Sequence, residues 1–444
     1  MKKYILLAAL CSATLPLAAL DPLAAYQVRP PKGCVDKSVT EQALNLEDLI
    51  QISICTNPSL AAQYMGVKSQ EASLGAARGA YLPSVTLSAT GQITGEKIER
   101  GHYLQNEPYS GKAEASWLLF DFGGREARTS STRAYVRAAA SQYNAAFHNL
   151  LLSVQTAYLN LLAAQESLIS AKANLETYQH SYEEAQKRYK LGMVSLSDKL
   201  QARTRYEQSL LAVVQQENLV KQHSGSLAVL INLRPDTPIT LAQPIFDEES
   251  IKIVNDDIQD LMRQALEKRP EILAQQSTQD AAKANLQSTR TRMFPTLSAT
   301  AFTALGDNWK HSSPYLVNNA AGLVLSWPIF SGFSNMYATQ QASYNYKQAQ
   351  NQTESLKRQV ENEVWSAYQN YKTAVRSYEI SQTVLESAQE NHRVAFRYYE
   401  VGKTDIINLL MAVAQLADAR QNKITAFYNL LLSKANLYRS IGEY

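Results

Sequence analysis

The chain has 444 residues, with 43 Lys and Arg against 40 Asp and Glu for a net charge of +3. That length allows two or three globular domains, and the near-neutral balance offers no basic stripe of the kind that binds nucleic acid. Gly (17) and Pro (14) are few and hydrophobic residues stand at 45%, so long stretches are left open for helices.

Residues 1–25 read as a secretory signal: Lys2 and Lys3, an apolar run to about Leu20, then small residues ending at Ala24-Ala25. Cleavage near Ala19 or Ala25 both fit. Export places Cys34 and Cys55 in an oxidising compartment, where the pair is expected to form a disulfide that staples the N-terminal segment, 26–56, onto the first helix. Within it, Asn45 is placed to cap a helix from Leu46 to about Thr56. Asn57-Pro58 ends that helix and opens the next, expected over 58–80.

That second helix runs into Pro83, and the period then switches from helical to two. Val85, Leu87, Ala89, Gly91 and Ile93 alternate with Thr86, Ser88, Thr90 and Gln92. The returning segment alternates too, with Gly111, Ala113, Ala115, Trp117 and Leu119 against Lys112, Glu114 and Ser116. Strands are expected at about 84–94 and 109–120, each ~10 residues long, the length that crosses a bilayer as a tilted strand. Trp117 and Phe120 close the hairpin. Aromatics at strand ends suit a membrane–water boundary, so Trp117 and Phe120, with Trp327 and Phe330 later in the chain, are expected to form an aromatic girdle, the alternative being a packed corner between strand and helix.

A helix of ~67 residues, about 100 Å long, is expected from Arg125 to Leu191. Every seventh residue from Val154 is large (Val154, Leu161, Leu168, Leu175, Tyr182, Tyr189), and the column three later is mostly small (Ala157, Ala164, Ala171, Tyr178, Ala185, Gly192). A seam of that period needs a left-handed supercoil. Gly192 reverses the chain, and a second helix returns from about Ser197 to Asn232, stopped by Arg234-Pro235.

The whole pattern then recurs 210 residues later. Trp117/Trp327, Phe120/Phe330, Tyr158/Tyr368, Tyr189/Tyr399 and Gly192/Gly402 coincide, and Thr86-Leu87-Ser88-Ala89-Thr90 returns as Thr296-Leu297-Ser298-Ala299-Thr300. The chain is two copies of one unit, 57–233 and 269–444, joined by a connector at 234–268. The second copy is expected to carry strands at about 296–305 and 318–330, then helices at about 335–401 and 405–441.

A two-stranded hairpin cannot stand alone in hydrocarbon, because its edge N–H and C=O groups would be unpaired, and four strands do not enclose a barrel. Several copies of the chain must therefore close the sheet together. No zinc spacing surrounds His102, His148, His180, His223, His311 or His392, and no phosphate-binding glycine loop or serine elbow occurs. No cofactor and no enzymatic activity are expected.

With its duplication, its prolines before strands, its Trp–Phe–Gly closures and the turns Arg188-Tyr189-Lys190-Leu191-Gly192 and Tyr398-Tyr399-Glu400-Val401-Gly402, the chain resembles the TolC-type outer membrane efflux proteins from about Leu44 to Ile441. The resemblance implies a mainly α protein with a transmembrane β-barrel contribution. A homotrimer would set twelve strands in outer-membrane lipid over a long α-helical tunnel in the periplasm. A periplasmic adaptor and an inner-membrane transporter of ABC or RND type would dock at the far tip, around Gly192 and Gly402, for efflux or type I secretion. It also implies a gate there, with Tyr399 facing Ser197 and Asp198. The family's arginine after the second turn falls on Thr404, for which Lys403 or Arg397 would substitute. Its inward acidic ring falls on Asn408 and Met411, leaving Asp405 as the nearby acid. The rival reading is a periplasmic coiled-coil adaptor with no channel.

Overall fold

A computed structural model describes residues 43–97, 103–106, 108–242, 257–308 and 316–443. The expected signal peptide and Cys34 lie outside these residues; Cys55 is disulfide-bonded. The chain divides into two compact units, the first comprising Gly66–Ala140 and Gln276–Asn351, the second Ser141–Gln275 and Gln352–Tyr444 with residues 43–65.

The elements follow in order: α1 (Leu46–Thr56), α2 (Pro58–Gly79), β1 (Ser84–Gly91), β2 (Thr94–Lys97), β3 (Tyr103–Asn106), β4 (Pro108–Phe120), α3 (Gly124–Lys190), α4 (Leu196–Leu230), α5 (Ile258–Lys268), α6 (Pro270–Thr291), β5 (Thr296–Asn308), β6 (Leu316–Ser326), α7 (Ser334–Glu400) and α8 (Ile406–Ile441). No helix among the described residues is long and apolar enough to cross a membrane.

The first unit holds an antiparallel sheet in the order β1-β4-β5-β6, so β4 and β5 join the two copies and β1 and β6 are its edges. Leu87 pairs with Ala113, Ala113 with Thr303, Leu297 with Leu325 and Ala301 with Ala321. Side chains opposite one another share a face. The two apolar alternations thus merge into one surface, on which Leu87 is 70% and Leu323 68% exposed. The other face carries Thr86, Ser88, Ser298 and Thr300, with Lys112 and Glu114 paired at 2.7 Å. Lys112 lies 4.8 Å over the Phe302 ring.

The ladder register follows the prolines, not the repeated words. Ser84 faces Ser116 as Thr296 faces Ser326, which equates positions 212 apart on the outgoing strand, the spacing of Pro83 and Pro295. The matching Thr-Leu-Ser-Ala-Thr words are slipped by two, and a slip of two keeps every side chain on its own face.

Three strand boundaries differ from expectation. The outgoing strand stops at Gly91, and part of the expected loop forms its own hairpin, Thr94–Lys97 against Tyr103–Asn106. β5 continues to Asn308. β6 ends at Ser326 rather than near 330, two residues before Pro328, which has no N–H to offer a ladder.

Trp117 and Trp327 turn out to serve the corner between strand and helix. Their indole nitrogens donate to the carbonyls of Tyr81 (2.9 Å) and Met293 (3.2 Å), again positions 212 apart. Their rings, with Phe120 and Phe330, remain exposed, so the corner contact leaves the aromatic faces free for an interface. Each copy then enters its long helix through two successive left-handed residues, Phe122-Gly123 (φ 52° and 83°) and Gly332-Phe333 (φ 61° and 64°). A phenylalanine is strained there, and Phe122 is held by stacking on Phe294 at 5.2 Å. A bulge at Leu119 frees the carbonyls of Leu118 and Leu119, which accept from Arg125 at 2.5 and 3.0 Å.

In the second unit the heptad columns are the core. Val154, Leu161, Val364 and Tyr371 are almost wholly buried, and Ala164, Ala185, Ala374 and Ala388 fill the small column. Asn45 caps α1 in a reciprocal capping box with Asp48. At the start of α6, Arg269 is 3% exposed and donates to Glu363 (2.6 Å) and Glu271 (3.4 Å); Arg439 reaches Glu271 at 2.6 Å. Burial pushes the Glu271 carboxyl up, but its own backbone N–H, Arg269 and Arg439 outweigh that, and the net shift is below the ordinary carboxylate value. Glu363 is lowered in the same way by Arg269 and Gln359 against its burial. A depressed folded pKa stabilises fully above the unfolded value of about 4.3 and is lost as pH falls through the folded one. Hydrogen exchange at the start of α6 should therefore accelerate as pH is lowered below about 4.3, once intrinsic rates are divided out. Glu271→Gln should flatten that dependence; an unaltered profile would show that the cluster is not the acid-sensitive element.

Candidate functional site

The two helix reversals of the second unit share one backbone design. Gly192 and Gly402 adopt φ +71° and +73°, and a Cβ on either would meet nothing within 4 Å. Conformation, not space, demands glycine there. Gly192 N–H donates to Tyr189 O (3.0 Å) and Met193 N–H to Arg188 O (2.9 Å); Gly402 N–H donates to Tyr399 O (3.0 Å) and Lys403 N–H to Tyr398 O (2.8 Å). This paired pattern closes the last carbonyls of α3 and α7.

The returning helices start on caps. Ser195, not Ser197, caps α4: Asp198 N–H donates to Ser195 Oγ (3.1 Å) and Ser195 N–H to Asp198 Oδ2 (3.0 Å). Asp405 caps α8 by accepting from Asn408 N–H at 2.9 Å. Asp198 is thus engaged in a capping box, and Ser197 sits exposed at the second helical position.

Tyr399 is 1% exposed and packs with Ala185, Ala202, Ile406 and Leu409. Its hydroxyl has no hydrogen-bond partner among the described residues. The expected hydrogen bond to Ser197 or Asp198 is absent within one chain. Burial raises the Tyr399 pKa, Arg188 opposes the rise, and the charges of Glu184 and Asp198 add to it, so the phenol stays neutral. Lys403, Asn408 and Met411 remain exposed and Thr404 half-buried; none of them touches Tyr399 through a hydrogen bond.

Two residues escaped the sequence reading. Arg188 lies with its guanidinium 4.5 Å from the Tyr399 ring centroid and donates to Glu400 O at 2.6 Å. Glu184, which the helix pattern marks only as a solvated acid, accepts from Arg188 Nε at 3.3 Å. Spacing of one turn between Glu184 and Arg188 was the available signal, but only the neighbouring helix shows what the pair holds. Among the described residues no group of three His, Cys, Asp or Glu side chains gathers as for a metal.

A duplicated chain with a four-stranded sheet bearing one exposed apolar face, and long helices ending in paired glycine turns, defines a channel-forming protein of the outer-membrane duct class. The model of the outer membrane efflux protein family matches residues 49–233 and 261–443. Relatives include protein CyaE of Bordetella pertussis (28% identical, over 95% of this chain and 88% of that protein). Outer membrane protein TolC of Escherichia coli is 25% identical over 91% and 83% of the respective chains, and the alkaline protease secretion protein AprF of Pseudomonas aeruginosa 22% over 89% and 86%. The fold is that of the outer-membrane channel OprN (TM-score 0.77, 20% identical, covering 95% of this chain and 99% of that one). VceC of Vibrio cholerae gives 0.79 at 18% identity over 90% and 96%. The chain belongs to the outer membrane efflux protein family, and it is an outer membrane channel rather than a periplasmic adaptor.

Proposed function

We propose that the chain is the exit duct of a tripartite efflux or type I secretion system. Three copies close their sheets edge to edge, β6 of one on β1 of the next, into a twelve-stranded barrel. Their helices continue it as a periplasmic tunnel, the two turns form the gated tip, and a periplasmic adaptor docks there beneath an inner-membrane ABC or RND transporter. The observation that carries this reading is the sheet with one apolar face and two unpaired edges, which hydrocarbon tolerates only when closed. Relatives named for toluene efflux and for alkaline protease secretion support both classes of cargo. The domain division is 57–233 and 269–444 around a connector at 234–268, with Cys34 as the partner of Cys55.

The purified protein should run as a heat-sensitive oligomer, conduct in planar bilayers, and capture its adaptor after crosslinking at 191–195 and 401–404. A monomer that makes no conductance would end the reading. Because the Tyr399 hydroxyl is unpartnered in one chain, Tyr399→Phe removes nothing internal. Asp198→Ala also removes the α4 capping box, so Ser195→Ala, which breaks the same cap, is its control. Tyr399→Phe with Asp198→Ala should raise resting conductance beyond Ser195→Ala if these groups meet a sister subunit, and a hydrogen bond worth about 1 kcal/mol shifts an open–closed ratio about fivefold. Unchanged conductance would remove Asp198 and Tyr399 from the gate.

A further inference from the structure

The two turns are copies in backbone and differ in what their side chains hold. Tyr189 and Tyr399 occupy matching positions, yet Tyr189 is exposed with Lys199 5.1 Å over its ring, while Tyr399 is buried beneath Arg188. The residue matching Arg188 in the second copy is Tyr398, which is exposed, and the residue matching Glu184 is Val394. The second copy therefore has no reciprocal cation to place on Tyr189.

Arg188 is 9% exposed, and a desolvated guanidinium is tolerated only where its donors and charge are answered. Here three different features of the group are used. Nη2 meets the carbonyl of Glu400, the last residue of α7, whose carbonyl is one of the orphans at a helix C-terminus and lies at the negative end of the helix dipole. The guanidinium carbon lies 4.5 Å over the Tyr399 ring centroid. Nε is steered by Glu184 one turn back on α3. A lysine has neither the plane nor the divergent donors to satisfy all three.

We propose that Arg188 is a positioning residue that fastens the α7–α8 turn to the end of α3 in the same chain, so that the two turns behave as one body until this strap is released. The proposal rests on the reading of the turns as the gated tip for its functional consequence, but not for the strap itself. Asp198 Oδ2 accepts from Ser195 N–H within α4's own cap, and no hydrogen bond runs from Asp198 to the Tyr399 hydroxyl.

Hydrogen exchange with mass spectrometry on the detergent-purified full-length oligomer separates the two. In Arg188→Gln, peptides spanning 398–410 should exchange roughly tenfold faster than in the native protein, as for loss of a charge-assisted hydrogen bond. Arg188→Lys should fall between, and carries the comparison should Arg188→Gln fail to assemble. Arg203→Ala, which removes an exposed arginine paired with Glu207 at 3.7 Å, should leave those peptides unchanged. Tyr399→Leu should accelerate them too, through lost packing and the lost ring contact, and combined with Arg188→Gln it should give less than the product of the two single effects, since the ring contact is common to both. Native exchange in the Arg188 variants, or full additivity with Tyr399→Leu, would overturn the proposal. Planar-bilayer conductance of the same proteins then tests the gate: faster exchange with raised resting conductance supports strap and gate together, and faster exchange with native conductance supports the strap and removes the turns from gating.

Discussion

Ala321→Arg should abolish assembly in the membrane, whereas Ala320→Arg should be tolerated. The two alanines are neighbours in the middle of β6 and differ in face. Ala321 pairs with Ala301 on the surface shared with Leu87, Leu297 and Leu323, and Ala320 pairs with Phe302 on the surface shared with Lys112, Glu114 and Ser298. If the apolar surface meets lipid, arginine there costs about 2–4 kcal/mol at mid-depth. Every subunit of a symmetric barrel bears the penalty, so the effect multiplies. On the other face the guanidinium reaches the water-filled lumen and can lie against the Phe302 ring, as Lys112 does at 4.8 Å. The heat-sensitive oligomer band should vanish for Ala321→Arg. For Ala320→Arg it should persist with altered ion selectivity in planar bilayers. Equal damage from both would refute the assignment of faces.

Arg269→Met should destabilise the helical unit strongly. It keeps the volume and removes the cation that answers Glu363 at 2.6 Å and Glu271 at 3.4 Å. Removing one partner of a buried ion pair typically costs ~3–5 kcal/mol. The figure here is about 2–4, because both acids retain some solvent while Arg269 itself is 3% exposed. Arg439 would be left to hold Glu271 alone. The apparent urea midpoint of the helical circular dichroism should fall, and adding Glu363→Gln should restore part of it by removing the stranded charge. A midpoint within error of the native one would show that the cluster is dispensable.

Much was legible in the chain because it is written in local terms. Pro58, Pro83 and Pro295 punctuate helices through their missing N–H and fixed φ. The seven-residue columns through Val154 and Val364 state which stripe of each helix is buried, and the glycines at 192 and 402 mark reversals that need a left-handed residue. The alternation along Val85 to Gly91 names a two-faced strand before any partner is known. Duplication makes each of these signals appear twice.

What stayed hidden depends on partners far away in sequence. The returning helix, expected from about Ser197, starts at Leu196 on a Ser195 cap, since Ser195 and Ser197 are both good caps and only the backbone selects between them. The β2–β3 hairpin has too short a pattern to declare itself. Glu184 reads only as a solvated acid and Arg188 only as part of the first turn, because Tyr399 and Glu400, which give them their role, lie more than two hundred residues further on. Periodicity and punctuation, carried by near neighbours, determined the elements, their duplication and the faces they bury. Tertiary structure alone decided the ladder register, the Arg269 cluster and the Arg188 strap, because each is settled by which distant groups come within a few ångströms, and no local spacing encodes that distance.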